Sequence, residues 1–125
     1  LVRTVDFMPT LLEACQISIE SNKMPLDGKS LFEVIDEKES NPRIAFCETG
    51  GLGGPNPSPN SPNVHCVRTD RWKLIFNRST KLYELYDIYE DPSENKNLYN
   101  QNEIKDIQNN LLKELRRKML KLFDH

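Results

Sequence analysis

From Val64 to Leu98 the chain alternates so regularly that few folds can hold it. In Val64–Arg68, Val64 and Cys66 fall on one face and His65 and Val67 on the other. The next run sets Trp72, Leu74 and Phe76 against Lys73 and Ile75, and Leu82–Asp87 follows, rich in aromatic and large apolar residues. A period of two over runs of this length specifies strands, and the Thr69-Asp70-Arg71 break is short enough for a hairpin. Apolar residues occur on both faces of these runs, which predicts that each face of the sheet is covered.

The remaining segments supply a fourth strand and the cover. Arg43–Glu48 reads as a short strand. Helix 103–123 is predicted from Ile104, Ile107, Leu111, Leu115, Met119 and Leu122, which step by three or four with Lys, Arg and Glu between them. Its basic end, Lys113, Arg116, Arg117, Lys118 and Lys121, complements the helix dipole and reads as a solvated face. Near the start, Asp6 reads as an N-cap with Pro9 in the first turn, and Phe7, Leu11, Leu12 and Cys15 form one apolar stripe. Ser30-Leu31-Phe32-Glu33 has the pattern of a capping box opening a short helix to about Asp36. The expected fold is α+β: an antiparallel sheet of about four strands, Arg43–Glu48, Val64–Arg68, Trp72–Asn77 and Leu82–Asp87, covered by a long C-terminal helix, with a short N-terminal helical segment. Between the first two strands lies Thr49–Asn63, whose four glycines and four prolines suit neither helix nor ladder and predict a long surface loop.

Composition narrows the functional classes. A chain of 125 residues with a net charge of −2 has no polycationic footprint for nucleic acid. No apolar run reaches the roughly 20 residues of a membrane span, and no signal peptide is visible. The chain opens within a helical approach, so its numbering is expected to begin inside a longer protein, and the compartment is not legible. The three cysteines, Cys15, Cys47 and Cys66, lack CxxC spacing. Cys47 and Cys66 fall in strands that could be neighbours; a bridge and two free thiols both stay open, buried thiols being the default. Asn77-Arg78-Ser79 is a glycosylation triplet, relevant in a secreting eukaryote. Gly28-Lys29-Ser30 lacks the upstream glycine and the preceding strand of a phosphate loop. Asp87, Asp91, Glu94, Asn95 and Asn97 fail the calcium-loop template, and Asp91-Pro92 and Asn97 read as turn formers.

Four pieces in order resemble one family. Val67-Arg68-Thr69-Asp70-Arg71-Trp72-Lys73-Leu74-Ile75, then Glu84-Leu85-Tyr86-Asp87, then Asp91-Pro92-x-Glu94-x-x-Asn97-Leu98, resemble the C-terminal subdomain of the sulfatases, in the alkaline phosphatase superfamily. Val5-Asp6-Phe7-Met8-Pro9-Thr10-Leu11-Leu12-Glu13-Ala14 looks like the helix closing the sulfatase catalytic domain. Leu26-Asp27-Gly28-Lys29-Ser30-Leu31 looks like the segment after it, and Ile44-Ala45-Phe46-Cys47-Glu48 like the subdomain's first strand. The resemblance implies two parts: residues 1–40 as the end of the catalytic-domain segment with a linker, and 41–125 as the subdomain.

It also implies an activity, the hydrolysis of sulfate esters of a sulfated small molecule or carbohydrate. The full-length enzyme would use calcium and a formylglycine made from a C/S-x-P/A-x-R motif. That motif is absent: Gln-Ile-Ser follows Cys15, Glu-Thr-Gly follows Cys47 and Val-Arg-Thr follows Cys66. The paired Asp-Asp and Asp-Asn calcium ligands are absent too, and with two histidines a positioned base is scarce. The chain alone is therefore expected to be inactive, with no catalytic or metal residues of its own. Its expected partner is the catalytic domain of the same protein, whose active-site mouth it would line through Glu48, Thr49, Gly50, Gly51 and His65. Arg68 and Lys73 match the pattern but read as serving the sheet. The isolated chain, with Phe7, Leu11 and Leu12 unpartnered, is expected to self-associate. Two other readings stay open: a phosphatase or phosphonate hydrolase of the same superfamily, and a free-standing binding module that recognises its target with loop 49–63. Family resemblance associates such proteins with secreted, periplasmic or lysosomal locations.

Overall fold

The computed structural model describes residues 1–18, 26–38, 43–49 and 64–121. The chain forms two compact units, Leu1–Arg43 and Ile44–His125.

In the first unit a 3-10 turn, Thr4–Asp6, leads into helix α1, Phe7–Ala14, and a single-turn helix α2 spans Phe32–Ile35. Asp6 stands at the N-cap position of α1, but its side chain does not cap the helix. The carboxylate turns inward instead. It accepts hydrogen bonds from the Arg3 backbone N–H (3.1 Å), from Arg3 Nη2 (2.6 Å) and from the Lys29 N–H (3.0 Å). Arg43 Nη1 lies 3.0 Å from its Oδ2. Arg43 also donates to the Lys29 and Ser30 carbonyls, at 3.0 and 2.6 Å. Thr10 completes the tie: its hydroxyl donates to the Asp6 carbonyl and accepts the Leu31 N–H. Asp6 is fully buried and Arg43 only 5% exposed.

Gly28 makes this closure possible. A Cβ there would sit 1.9 Å from the Val5 carbonyl oxygen, so the two segments can touch only where no side chain intervenes. Ser30 does not form the expected capping box. Leu31 holds the N-cap position of α2, and the Ser30 hydroxyl accepts the Phe32 N–H at 3.3 Å. The reason is local: the helix starts one residue later than a Ser30 cap requires, because the backbone of Lys29–Leu31 is already committed to Asp6, Arg43 and Thr10.

The second unit is the expected sheet and helix. Strands β1 (Ala45–Thr49), β2 (Val64–Arg68), β3 (Trp72–Asn77) and β4 (Leu82–Asp87) form an antiparallel meander in sequential order. A second 3-10 turn, Asn102–Ile104, opens helix α3, Lys105–Lys121. The first strand begins at Ala45 rather than Arg43, since Arg43 is held in the Asp6 network. The predicted helix end at 122–123 lies outside the described residues.

Register places Phe46, Val67, Leu74 and Leu85 in one row across the four strands. Val67, Leu74 and Leu85 are fully buried and pack with Leu111 and Leu115 of α3. Each such side chain contributes about 1.5–3 kcal/mol through loss of apolar surface from water. Stacked rings extend this layer: Phe76 on Tyr83 with centroids 4.4 Å apart, and Tyr83 on Tyr99 at 5.1 Å. The opposite face carries Cys47, Cys66 and Ile75 in one row, with Arg68 and Lys73 beside them. The Lys73–Glu94 ion pair at 2.7 Å ties this face to the segment after β4.

Several polar residues of that segment have a structural task. Arg71 holds Asp87 with Nη2 at 2.7 Å and Nε at 3.0 Å, and Asp87 also accepts the Tyr89 and Glu90 N–H groups. Asp91 accepts the Lys96 N–H at 2.8 Å. Asn97 Oδ1 accepts the Leu85 and Tyr99 N–H groups, its Nδ2 donates to the Tyr83 carbonyl, and the Leu98 N–H donates to the Leu85 carbonyl. These bonds satisfy the outward backbone of β4, which would otherwise be a bare sheet edge. Asp91 and Asn97 are thus turn formers, as the sequence suggests. Asn77 of the glycosylation triplet uses its side-chain oxygen on the Ser79 and Thr80 N–H groups of the β3–β4 turn.

Candidate functional site

The residues singled out for the active-site mouth lie at the end of β1 and the start of β2. Register sets Glu48 directly opposite His65 and Thr49 opposite Val64. Glu48 and Thr49 are exposed, whereas His65 is 2% exposed. Gly50 and Gly51, with the rest of 50–63, lie outside the described residues.

His65 is the unusual group. Its side chain shares the face of Val67, looking into the layer beneath α3, and its ring stacks on Phe46 with centroids 6.2 Å apart. Neither ring nitrogen has a hydrogen-bond partner among the described residues. Glu48 Oε2 is 3.8 Å from Nδ1, an ion-pair distance rather than a hydrogen bond. Burial pushes the imidazole below its ordinary pKa, the Glu48 carboxylate opposes that shift, and Arg78 adds to it. The ring is therefore neutral near pH 7, with one donor and one acceptor unmet. Such unmet groups cost about 1–3 kcal/mol each.

On the opposite face Cys66 and Cys47 are cross-strand partners, both free thiols. Cys66 is half-buried and Cys47 exposed, so the default of buried thiols fails for Cys47, as it does for Cys15. An outward-facing position on an edge strand leaves Cys47 open to water. Burial pushes the Cys66 thiol up to about 11. Elsewhere, Tyr86 donates to Glu84 at 2.6 Å, and that bond together with burial raises its pKa to about 12.

The densest charge cluster is in the first unit. Burial pushes the Asp6 carboxyl upward, but Arg3, the Lys29 N–H and Arg43 together outweigh it and hold the group below the usual carboxylate range. Sequence reading as an N-cap missed this, because its partners Lys29 and Arg43 are remote in the chain. The signal available was the Arg3–Asp6 spacing. The cluster holds two backbone segments together.

Among the described residues no group of three or more His, Cys, Asp or Glu side chains could hold a metal ion. No helix among them is long and apolar enough to cross a membrane.

The fold and these motifs define a sulfatase-type C-terminal domain. A family model for the C-terminal region of N-sulphoglucosamine sulphohydrolase matches residues 1–121, and the chain belongs to that family. No curated protein matches the sequence. Solved structures share the fold. BT4656, determined in complex with its substrate D-glucosamine-2-N,6-O-disulfate, superposes with a TM-score of 0.72 at 24% identity, over 96% of this chain and 24% of that one. BT1596, a 2-O glycosaminoglycan sulfatase, gives 0.60 at 22%, over 94% and 23%. A third structure, tied to the metabolism of multiple glycosaminoglycans by Bacteroides thetaiotaomicron, gives 0.53 at 23%, over 85% and 24%. The chain thus spans about a quarter of the length of these structures.

Proposed function

We propose that this chain is the C-terminal part of a sulfate-ester hydrolase acting on a sulfated sugar, and that it packs on a catalytic domain whose active-site mouth it lines. The observation that carries this reading is the family match across residues 1–121, together with the quarter-length share of sulfatase structures that the chain covers. The sugar substrate is drawn from the chemistry on which BT4656 and BT1596 act. The comparisons lend no support to a phosphoryl-transfer enzyme or to a free-standing module.

Calcium and a formylglycine, implied for the whole enzyme, would be held by residues outside this chain. The C/S-x-P/A-x-R motif is missing here, and the described residues offer no cluster to hold a metal. The chain's own part is the rim. Glu48 and Thr49 are exposed at the end of β1, which supports a rim role for them and for Gly50 and Gly51, which follow them in sequence. His65 stands beside Glu48, buried and 3.8 Å from its carboxylate. The exposed Val5, Phe7, Met8 and Leu11 of the first unit supply an apolar surface for the catalytic domain. In the isolated chain that surface favours self-association, which light scattering over a concentration series measures.

The deciding experiment expresses the full reading frame containing this chain and assays sulfate release from sulfated glucosamines and an aryl sulfate. Activity lost on deleting the residues from Val64 onward, and weakened for the sugar but not the aryl sulfate by Glu48→Ala, supports the reading. Release of phosphate from phosphate esters in place of sulfate, or a reading frame without the formylglycine motif, overturns it.

A further inference from the structure

The face of the sheet opposite α3 carries a pair of thiols that the proposed hydrolysis does not use. Cys47 and Cys66 are direct partners in the β1–β2 register, so their side chains leave the same face of adjacent strands. The backbone pattern fixes the kind of pair. At the β2–β3 hairpin the Thr69 N–H donates to the Trp72 carbonyl, so Thr69 and every second residue before it, Val67 and His65, turn their backbone groups toward β3. Cys66 then turns its backbone toward β1, and Cys47–Cys66 is a hydrogen-bonded pair. Such pairs have Cα atoms about 5.5 Å apart. That value lies inside the roughly 4.4–6.8 Å span of disulfides and near its mode. Cys47 is exposed to a soluble oxidant, and Cys66 is half-buried behind it.

The geometry points to Cys47 and Cys66 as a redox pair that closes into a cross-strand disulfide by exchange with a small-molecule disulfide such as oxidised glutathione. In the first step the deprotonated Cys47 sulfur attacks one glutathione sulfur; the Cys47–glutathione bond forms, the glutathione S–S bond breaks, and one glutathione thiolate leaves. In the second step the deprotonated Cys66 sulfur attacks the Cys47 sulfur; the protein S–S bond forms and the second glutathione leaves. Two protein thiols are oxidised, one glutathione disulfide is reduced to two thiols, and the two protons lost by the cysteines end on glutathione. The bridge would tie the edge strand β1 to β2 immediately before Glu48, and so fix the root of the connection from which the rim residues emerge. Cys15, in the other unit, stays a thiol. Because burial raises the Cys66 thiol to about 11, the second step is the slow one at neutral pH and quickens toward alkaline pH.

The test incubates the 125-residue chain with oxidised and reduced glutathione in varied ratio, traps thiols by alkylation and maps them by peptide mass spectrometry. The expected result is loss of two of three thiols, a cross-linked peptide joining Cys47 to Cys66, and an alkylated Cys15. A glutathione adduct at Cys47 should accumulate at pH 7 and fall as pH rises to 9. In Cys66→Ser the adduct should persist at both pH values. In urea the selectivity should vanish, because it comes from the strand register. A folded chain in which Cys66 stays fully alkylatable at the most oxidising ratio overturns the proposal. So does a Cys15–Cys47 or Cys15–Cys66 link as the dominant product, or the same product ratio in urea. Should the isolated chain fail to fold, the same mapping on the full-reading-frame protein decides it by the same outcomes.

Discussion

The two units solve the same problem with opposite chemistry. Leu1–Arg43 has no buried apolar side chain among its described residues, and its centre is a carboxylate held by two guanidinium groups and two backbone N–H groups. Ile44–His125 buries Val67, Leu74, Leu85, Leu111 and Leu115, and keeps most of its charges at the margins. A core of apolar side chains tolerates small changes by relaxing, at a cost that depends on the cavity left behind. A buried ionic centre is brittle: removing one partner strands the others. The comparison teaches that the first unit owes its shape to specific partners, and the second to bulk burial.

The largest break should come from Asp6→Ala, which leaves Arg3 and Arg43 without their carboxylate. The expected loss is about 3–5 kcal/mol, read as collapse of hydrogen-exchange protection at the Lys29 and Leu31 N–H groups. Retained protection there would mean that the network does not hold the unit. The charge can be titrated without mutation. The folded pKa of Asp6 lies below its unfolded value of 3.8. Its contribution is therefore present above about pH 4 and is lost as pH falls toward the folded value. Asp6→Asn should flatten that acid limb.

Next in size, Leu74→Ala should cost about 2–5 kcal/mol through transfer and cavity, seen as a lower melting temperature by Trp72 fluorescence. If Lys29 protection fell equally in this variant, the contrast between the units would fail. Gly28→Ala should follow, at about 1–3 kcal/mol for overpacking, because the methyl group meets the Val5 carbonyl. A calorimetric melt unchanged from wild type would argue that the two segments do not touch. Smallest is His65→Phe. Removing two unmet ring nitrogens should leave stability unchanged or raise it by up to about 1 kcal/mol. The sign of its pH effect follows from burial: the folded imidazole titrates below its unfolded 6.5, so the unfolded chain binds more protons and stability falls as pH drops below 6.5. The variant should lose that slope in denaturant titrations between pH 7 and 5. A steeper slope would place a hidden partner on the ring.

How much of this was legible depends on whether the information is local. β2, β3 and β4 were readable to the residue, because Val67, Leu74 and Leu85 sit in strict alternation and one face is buried. Helix α3 was readable from the stripe that includes Leu111 and Leu115. Asp6 holds the N-cap position that the sequence suggests, but its carboxylate serves a buried ion-pair centre that was not legible, because both roles use the same residue type and only the fold brings Arg43 to it. Ser30 shows the reverse error: a correct local motif, overruled when its neighbours' backbone was taken by Thr10 and Arg43. For the candidate rim, adjacency to the long connection marked Glu48, Thr49 and His65, but Glu48 and His65 share one face in register, and their differing exposure follows from the place of β1 at the end of the strand order and of β2 inside it.

Asn97 has a consequence for how the sheet can grow. Its side chain and the Leu98 N–H occupy the outward backbone of Leu85 and Tyr83, so at β4 the ladder terminates as a capped polymer does. At the other end β1 pairs, among the described residues, only with β2. The alternation that turns Cys47 toward β2 leaves the N–H and C=O of Phe46 and Glu48 facing away. Strand addition is therefore directional within this unit: the described backbone closes the β4 end, and any further strand would have to enter at β1.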